Sequence, residues 1–153
     1  MKKQLLISAI AIASPFLFSA GVQAESTTGN ADVIILETIT FNEVAAVDFG
    51  SITNADGTCT MASNGALSGQ CAGRPDGTVG DFTVSGTAGQ AVNVSVSNGS
   101  TSGGVTFNPV LASSATPTLV GGNTTVNVIG NLVLSSATAG AKALTYTLTV
   151  DYQ

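Results

Sequence analysis

The sequence is poor in charged and aromatic side chains, and it contains neither histidine nor tryptophan. Charged residues make up 8% of its 153 positions, against about 25% in a typical soluble protein. Four lysines and arginines face nine acids, so the basic surface that nucleic acids require cannot form. The absence of histidine removes the commonest acid–base group and a common metal ligand. Nucleic-acid partners are therefore excluded, and we expect neither an enzyme nor a cofactor.

Residues 1–24 have the pattern of a secretory signal peptide. Two lysines follow Met1, residues 5–18 are mostly apolar, and Val22 and Ala24 supply small side chains before a cleavage site at Glu25. This apolar run is interrupted by a proline and is shorter than the ~20 residues that a membrane-spanning helix needs. We therefore expect removal of the leader, export through the periplasm to the cell surface or beyond, and no membrane span.

Cys59 and Cys71 are the only cysteines, and they lie twelve positions apart. A zinc site needs more nitrogen or sulfur ligands than two cysteines without histidine can supply. A redox-active CxxC motif would need a shorter spacing. In an exported protein the pair predicts one structural disulfide.

Beyond the leader, alternation of apolar and polar residues replaces any helical periodicity. About seven short strands with turns between them predict an all-β fold, an antiparallel sandwich. Asn98-Gly99 predicts a hairpin turn, Pro109 predicts an edge or a strand end, and Gly130 separates two predicted strands. The interior alternation falls at Phe82 and Val84, at Val92, Val94 and Val96, at Val105 and Phe107, at Val126 and Val128, and at Leu132 and Leu134.

The longest alternating stretches lie near the two ends of the exported chain. The first is predicted over residues 31–41. Its odd-numbered residues are apolar at Ala31, Val33, Ile35, Ile39 and Phe41, and Glu37 is the one charged residue among them. The last is the clearest strand in the sequence, with Leu144, Tyr146, Leu148, Val150 and Tyr152 on one face. An unpaired strand edge beside an apolar groove invites addition of a further strand.

Three short motifs resemble those of a known family. Tyr152 is penultimate and Gly140 is fourteenth from the last residue, which resembles the C-terminal signature of chaperone–usher pilins. The run Val-Asp-Phe-Gly-Ser-Ile at 47–52 is similar to a motif of archaic-type pilins. The run Phe-Thr-Val-Ser-Gly-Thr-Ala-Gly at 82–89 resembles the central segment of a related secreted pilin-like family.

The resemblance implies an incomplete immunoglobulin-like sandwich that is completed by a donor strand from another subunit. Residues 25–36 would then be the donor extension and residues 37–153 the pilin-like domain. The implied partners are identical subunits in a homopolymer, with a periplasmic chaperone and an outer-membrane usher during assembly. The implied function is a surface fimbrium serving adhesion or biofilm formation. The implied donor residues are Gly29, Ala31, Val33 and Ile35, and the implied acceptor groove comprises Leu144, Tyr146, Leu148, Val150 and Tyr152.

Two alternatives remain open at this point. Residues 31–41 could be the first strand of a complete domain, donated to no other subunit. The protein could then be a self-contained secreted module that binds carbohydrate or matrix. The lack of tryptophan, and the place of Tyr146 and Tyr152 on an apolar face, count against a sugar-binding platform.

Overall fold

The computed structural model describes residues 26–71, 75–97 and 99–153, and the chain divides into two units between Val33 and Ile34. In the first unit, residues 26–33 are exposed and form neither helix nor strand. The described residues of the second unit form nine strands. The expected signal peptide with its cleavage site at Glu25, and Asn98 of the expected hairpin turn, lie outside the described residues.

All nine strands belong to antiparallel sheets, and no helix occurs among the described residues. The all-β architecture expected from the sequence is therefore confirmed, and it is consistent with a β-sandwich. The strands are β1 Thr40–Ala45, β2 Gly57–Met61, β3 Leu67–Gly69, β4 Gly80–Ser85, β5 Val92–Val96, β6 Thr101–Ser102, β7 Val105–Leu111, β8 Asn123–Leu134 and β9 Leu148–Tyr152. The larger sheet follows the order β1-β4-β8-β2-β3, with β7 also paired to β8 and β6 to β7, and the smaller sheet pairs β5 with β9.

Strand β8 is continuous, which corrects the prediction of two strands separated at Gly130. Gly130 lies opposite Pro109 of β7, and a Cβ atom at this glycine would overlap the carbonyl oxygen of Asn108. Glycine therefore permits a close approach of two backbones here and does not form a turn. Pro109 lies inside β7 and does not end it. The other edge of β7 pairs only with the two-residue β6, which agrees with the expected edge position.

The strands near the two ends are both shorter than the sequence predicts. The expected strand over residues 31–41 begins only at Thr40, and the expected strand from Leu144 begins only at Leu148. In the second case the partner strand β5 ends at Val96. Before Leu148, half-buried and exposed side chains still alternate, but there is no regular ladder of hydrogen bonds. The pairing there consists of separate hydrogen bonds from the amides of Ser97 and Ser100, which follow β5.

The apolar side chains form two clusters against the larger sheet. In the covered core, Phe82, Val84, Val126 and Val128 of that sheet pack with Val92 and Val94 of β5 and with the half-buried side chains of β9. In the open core, Cys59, Met61, Val105, Phe107, Leu132 and Leu134 come from the same sheet. No residue of β5 or β9 joins the open core among the described residues. The smaller sheet therefore covers one half of the larger sheet.

The predicted disulfide between Cys59 and Cys71 is confirmed. Their Cα atoms lie 5.2 Å apart, and both residues are fully buried in the open core. The bond joins Cys59 of β2 to Cys71, which lies two residues after the end of β3. It therefore closes the short end of the larger sheet, where β3 contributes only three residues.

Candidate functional site: a groove along the last strand

A large cavity of about 890 Å³ lies against the open core. Its floor includes Phe107, Leu132 and Leu134, and its walls are residues 47–54 on one side and residues 137–144 with Tyr146 on the other. Protein interiors are close-packed and leave few voids larger than a water molecule. A cavity of this size between core side chains is therefore a site that another group can fill.

A second, smaller cavity of about 410 Å³ shares Leu144 and Tyr146 with the first. Its opposite wall is formed by Phe41 and Glu43 of β1, and its far end reaches Leu148. We call the two adjoining cavities together the groove. The groove thus follows the chain before and into β9 on one side, and β1 and residues 47–54 on the other.

Both strands beside the groove have an edge to which no described strand pairs. Strand β1 pairs only with β4, and β9 pairs only with β5. The carbonyl oxygens of Thr145 and Thr147 accept hydrogen bonds from the amides of Ser100 and Ser97, on the β5 side. Successive residues of a strand direct their backbone groups to alternate sides. The even-numbered residues 144–152 therefore direct their amide and carbonyl groups towards the groove edge.

Tyr146 stands where the two cavities meet. Its ring makes edge-to-face contacts with Phe82 and Phe107, with ring centroids 6.3 and 5.6 Å away. Its hydroxyl oxygen is buried and has no hydrogen-bond partner among the described residues. Burial, followed by the charge of Glu43, raises the pKa of Tyr146 to about 12. An unpaired buried hydroxyl is unfavourable in a finished core, so this tyrosine marks the groove as a distinct environment.

Tyr152 connects the start of the second unit to its last strand. Its hydroxyl accepts a hydrogen bond from the Thr87 amide (2.7 Å) and donates one to the Glu37 carbonyl oxygen (2.8 Å). The Glu37 amide in turn donates to the Thr87 hydroxyl (2.6 Å). We call these three bonds the Tyr152 cluster. It fixes the main chain at Glu37 beside the C-terminal end of β9.

The predicted acceptor residues divide into two sets. Leu144, Tyr146 and Leu148 line the groove, whereas Val150 and Tyr152 line neither cavity. All of these except Leu144 also pack against the covered core. Sequence reasoning missed the floor of the groove and the wall supplied by β1. The motif at 47–52 was singled out only for its resemblance to pilins, and it forms part of the opposite wall.

The predicted donor residues all lie in exposed chain that forms no strand. The exposed fractions of Val33 and Ile35 are 81% and 86%, and Gly29 and Ala31 are exposed as well. Ile34, on the opposite parity, is 84% exposed. Three consecutive large apolar side chains therefore face solvent.

The lining of the groove is mixed in polarity, since Asp48, Asn54 and Lys142 line the large cavity together with its apolar floor. Lys142 is the only lysine or arginine among the described residues, and it lines the large cavity. The described residues contain no group of three or more histidine, cysteine, aspartate or glutamate side chains placed to hold a metal ion. Within the same residues, no helix has the length and apolarity needed to cross a membrane.

Comparison of the chain with protein-family models, with curated proteins and with solved structures found no match.

Proposed function

We propose that this protein is the structural subunit of a fibre in which the N-terminal segment of one copy fills the groove of the next. The observation that carries the proposal is the groove itself, which lies between core side chains and beside two strand edges to which no described strand pairs. A strand that enters such a groove gains a backbone ladder from the edge and burial for alternate side chains. This mode of assembly is donor-strand exchange.

The exposed segment before Glu37 has the side chains that such a donor needs. Ala31, Val33 and Ile35 recur every second residue, a repeat of about 6.6 Å in an extended strand. The side chains on the groove side of the last strand recur with the same period. Burial of each large donor side chain would contribute about 1.5–3 kcal/mol, before the entropy of ordering the segment is subtracted.

The proposed context is export through the periplasm and assembly on the cell surface. A chaperone would cover the groove before assembly, because an exposed strand edge beside apolar side chains promotes aggregation. An outer-membrane usher would then catalyse replacement of the chaperone by the next subunit. The fibre would serve adhesion or biofilm formation. The leader pattern and the disulfide both suit an oxidising compartment.

The second candidate is a self-contained secreted module that binds a ligand, such as a carbohydrate or a matrix component, in the groove. The volume of the large cavity favours it, since pockets for small molecules commonly measure about 300–1,000 Å³. The lack of tryptophan, and the place of Tyr146 and Tyr152 on the apolar face of the last strand, disfavour a sugar, because sugar-binding platforms usually present exposed aromatic rings.

Two neighbouring substitutions separate these functions. Val33→Asp places a carboxylate on the proposed inward face of the donor, where an unpaired buried charge is strongly unfavourable. Ile34→Asp makes the same change one residue away, on the outward face, at a position of similar exposure. We expect electron microscopy and size-exclusion chromatography to find multimers of the wild type and of Ile34→Asp, and none of Val33→Asp.

A third variant tests completion of the fold directly. Residues 26–36 appended after Gln153 through a flexible linker should fill the subunit's own groove, giving a stable monomer that melts well above Val33→Asp. If wild type, both substitutions and the graft are all monomers with one melting temperature, the groove needs no donor and the self-contained module is the better account.

A further inference from the structure

We propose that Glu37 of one copy forms an ion pair with Lys142 of the next, and that this pair sets the register of the donor strand. The inference rests on the proposed fibre function and specifies how its donor is seated. In the sequence, Glu37 interrupts the apolar parity of the donor segment. At the groove, Lys142 is two residues before Leu144 and four before Tyr146, so it belongs to the same alternating set. Like them, it is half-buried between exposed neighbours.

The two rows match residue by residue when the strands run antiparallel. The donor row reads Ala31, Val33, Ile35 and Glu37, and the acceptor row read backwards gives Leu148, Tyr146, Leu144 and Lys142. Each row therefore ends in one charge, of opposite sign, immediately after three apolar side chains. Facing side chains on antiparallel strands are about 4.5–5.5 Å apart at Cβ, and opposite charges there are favourable.

Lys142 lines the large cavity. Its Cε and Nζ atoms occupy the space that a Cβ atom at Gly103 would need, and its Nζ lies 3.5 Å from the Ala139 carbonyl oxygen. The other charged residue that lines the large cavity is Asp48, on the opposite wall, where its carboxylate accepts a hydrogen bond from the Gly50 amide. A carboxylate arriving beside Lys142 would thus meet the only cation that the described residues contain.

Glu37 can reach this position only on a neighbouring copy. Its own main chain is fixed at the Tyr152 end of the last strand by the Tyr152 cluster. Ten residues separate Tyr152 from Lys142, which corresponds to about 33 Å of extended chain. The Glu37 side chain is exposed, so it is available to an adjacent subunit at the junction between two domains.

The parallel orientation is disfavoured by the same charge. With the donor reversed and Val33 again beside Tyr146, Glu37 would face Val150, which packs against the covered core. The carboxylate would then be buried without a cation, which is strongly unfavourable. Charge complementarity therefore selects both the antiparallel direction and the alignment of Ile35 with Leu144.

The test is a charge-reversal cycle in the full-length chain. Multimer growth is followed by light scattering after dilution from denaturant, for Glu37→Lys, Lys142→Glu and the variant that carries both changes. We expect each single change to slow growth about fivefold at low salt and the combined variant to recover to within about twofold of wild type. At about 1 M salt, where the Debye length is about 3 Å, the differences should largely disappear.

Two further variants keep the result interpretable. Asp32→Lys makes the same charge change on the outward parity of the donor segment, and it should show no coupling to Lys142→Glu. The neutral pair Glu37→Gln and Lys142→Gln avoids new repulsion. Because either change alone removes the whole ion pair, their combined effect should be no larger than one of them.

The outcomes separate this inference from the function on which it rests. Multimers that grow with no coupling between positions 37 and 142 would overturn the register while leaving the fibre function standing. Coupling of Asp32→Lys to Lys142→Glu would overturn it too, because the opposite face of the donor would then meet the groove. If the wild type forms no multimers under any condition, the fibre function fails, and the ion pair fails with it.

Discussion

Replacement of Tyr152 by phenylalanine should loosen the chain at Glu37 while the ring keeps its packing. The change removes two hydrogen bonds, one from the Thr87 amide and one to the Glu37 carbonyl oxygen. Each such bond contributes a net ~0.5–1.5 kcal/mol, so the local opening free energy should fall by about 1–3 kcal/mol. Amide hydrogen exchange at Thr87 reports this opening, and its rate should rise roughly 5- to 150-fold.

Tyr146→Phe is the matched control for that experiment. It deletes the same atom from the other tyrosine, whose hydroxyl has no partner among the described residues. Because no hydrogen bond is lost, exchange at Thr87 should stay as in the wild type and the unfolding free energy should not fall. The reasoning is refuted if Thr87 exchanges at the same rate in Tyr152→Phe as in Tyr146→Phe.

Three further predictions concern stability and ionisation. Replacing Cys59 and Cys71 together by alanine should lower the urea-unfolding free energy by about 3 kcal/mol, the loop-closure entropy of a twelve-residue separation; an unchanged midpoint would contradict this. Alkaline titration at 295 nm should find one phenol ionising near pH 12 that Tyr146→Phe abolishes. Because the folded-state pKa of Tyr146 lies above the ordinary tyrosine pKa of 10.0, the stability that this tyrosine contributes should be lost as the pH rises from 10.0 to about 12. Gly69→Ala should unfold at lower urea than Gly89→Ala: both glycines have positive φ, but only at Gly69 would a Cβ overlap a backbone carbonyl.

Alternation in the sequence predicted strands that pair with other strands among the described residues. Phe82 and Val84 mark β4, and Val92 to Val96 mark β5, with the expected faces buried. The same alternation over residues 31–39 gives no strand. A strand needs a hydrogen-bonding neighbour. Alternation with a period of two residues indicates only which side chains share a face. Whether a neighbour exists, and on which molecule, is not encoded in that period.

The groove could be predicted only on one side. Leu144, Tyr146 and Leu148 were recognisable because they follow one another along a single strand pattern. The floor at Phe107 and Leu132 comes from strands far apart in the sequence, and its exposure to the cavity depends on how far the smaller sheet extends. That extent is set where β5 ends at Val96. The pair Asn98-Gly99 indicates in the sequence that a strand ends here, but not how much of the facing sheet is left uncovered.

Strand β8 passes through both halves of the domain without a break. It contributes Val126 and Val128 to the covered core and Leu132 and Leu134 to the open core, while its backbone pairs with β4, β7 and β2 along its length. Strain applied at one half is therefore transmitted to the other along the continuous backbone of β8 and its hydrogen bonds to these strands. The half of the larger sheet that the smaller sheet covers thus stiffens the half that it leaves uncovered. This mechanical coupling helps the open groove to keep its shape.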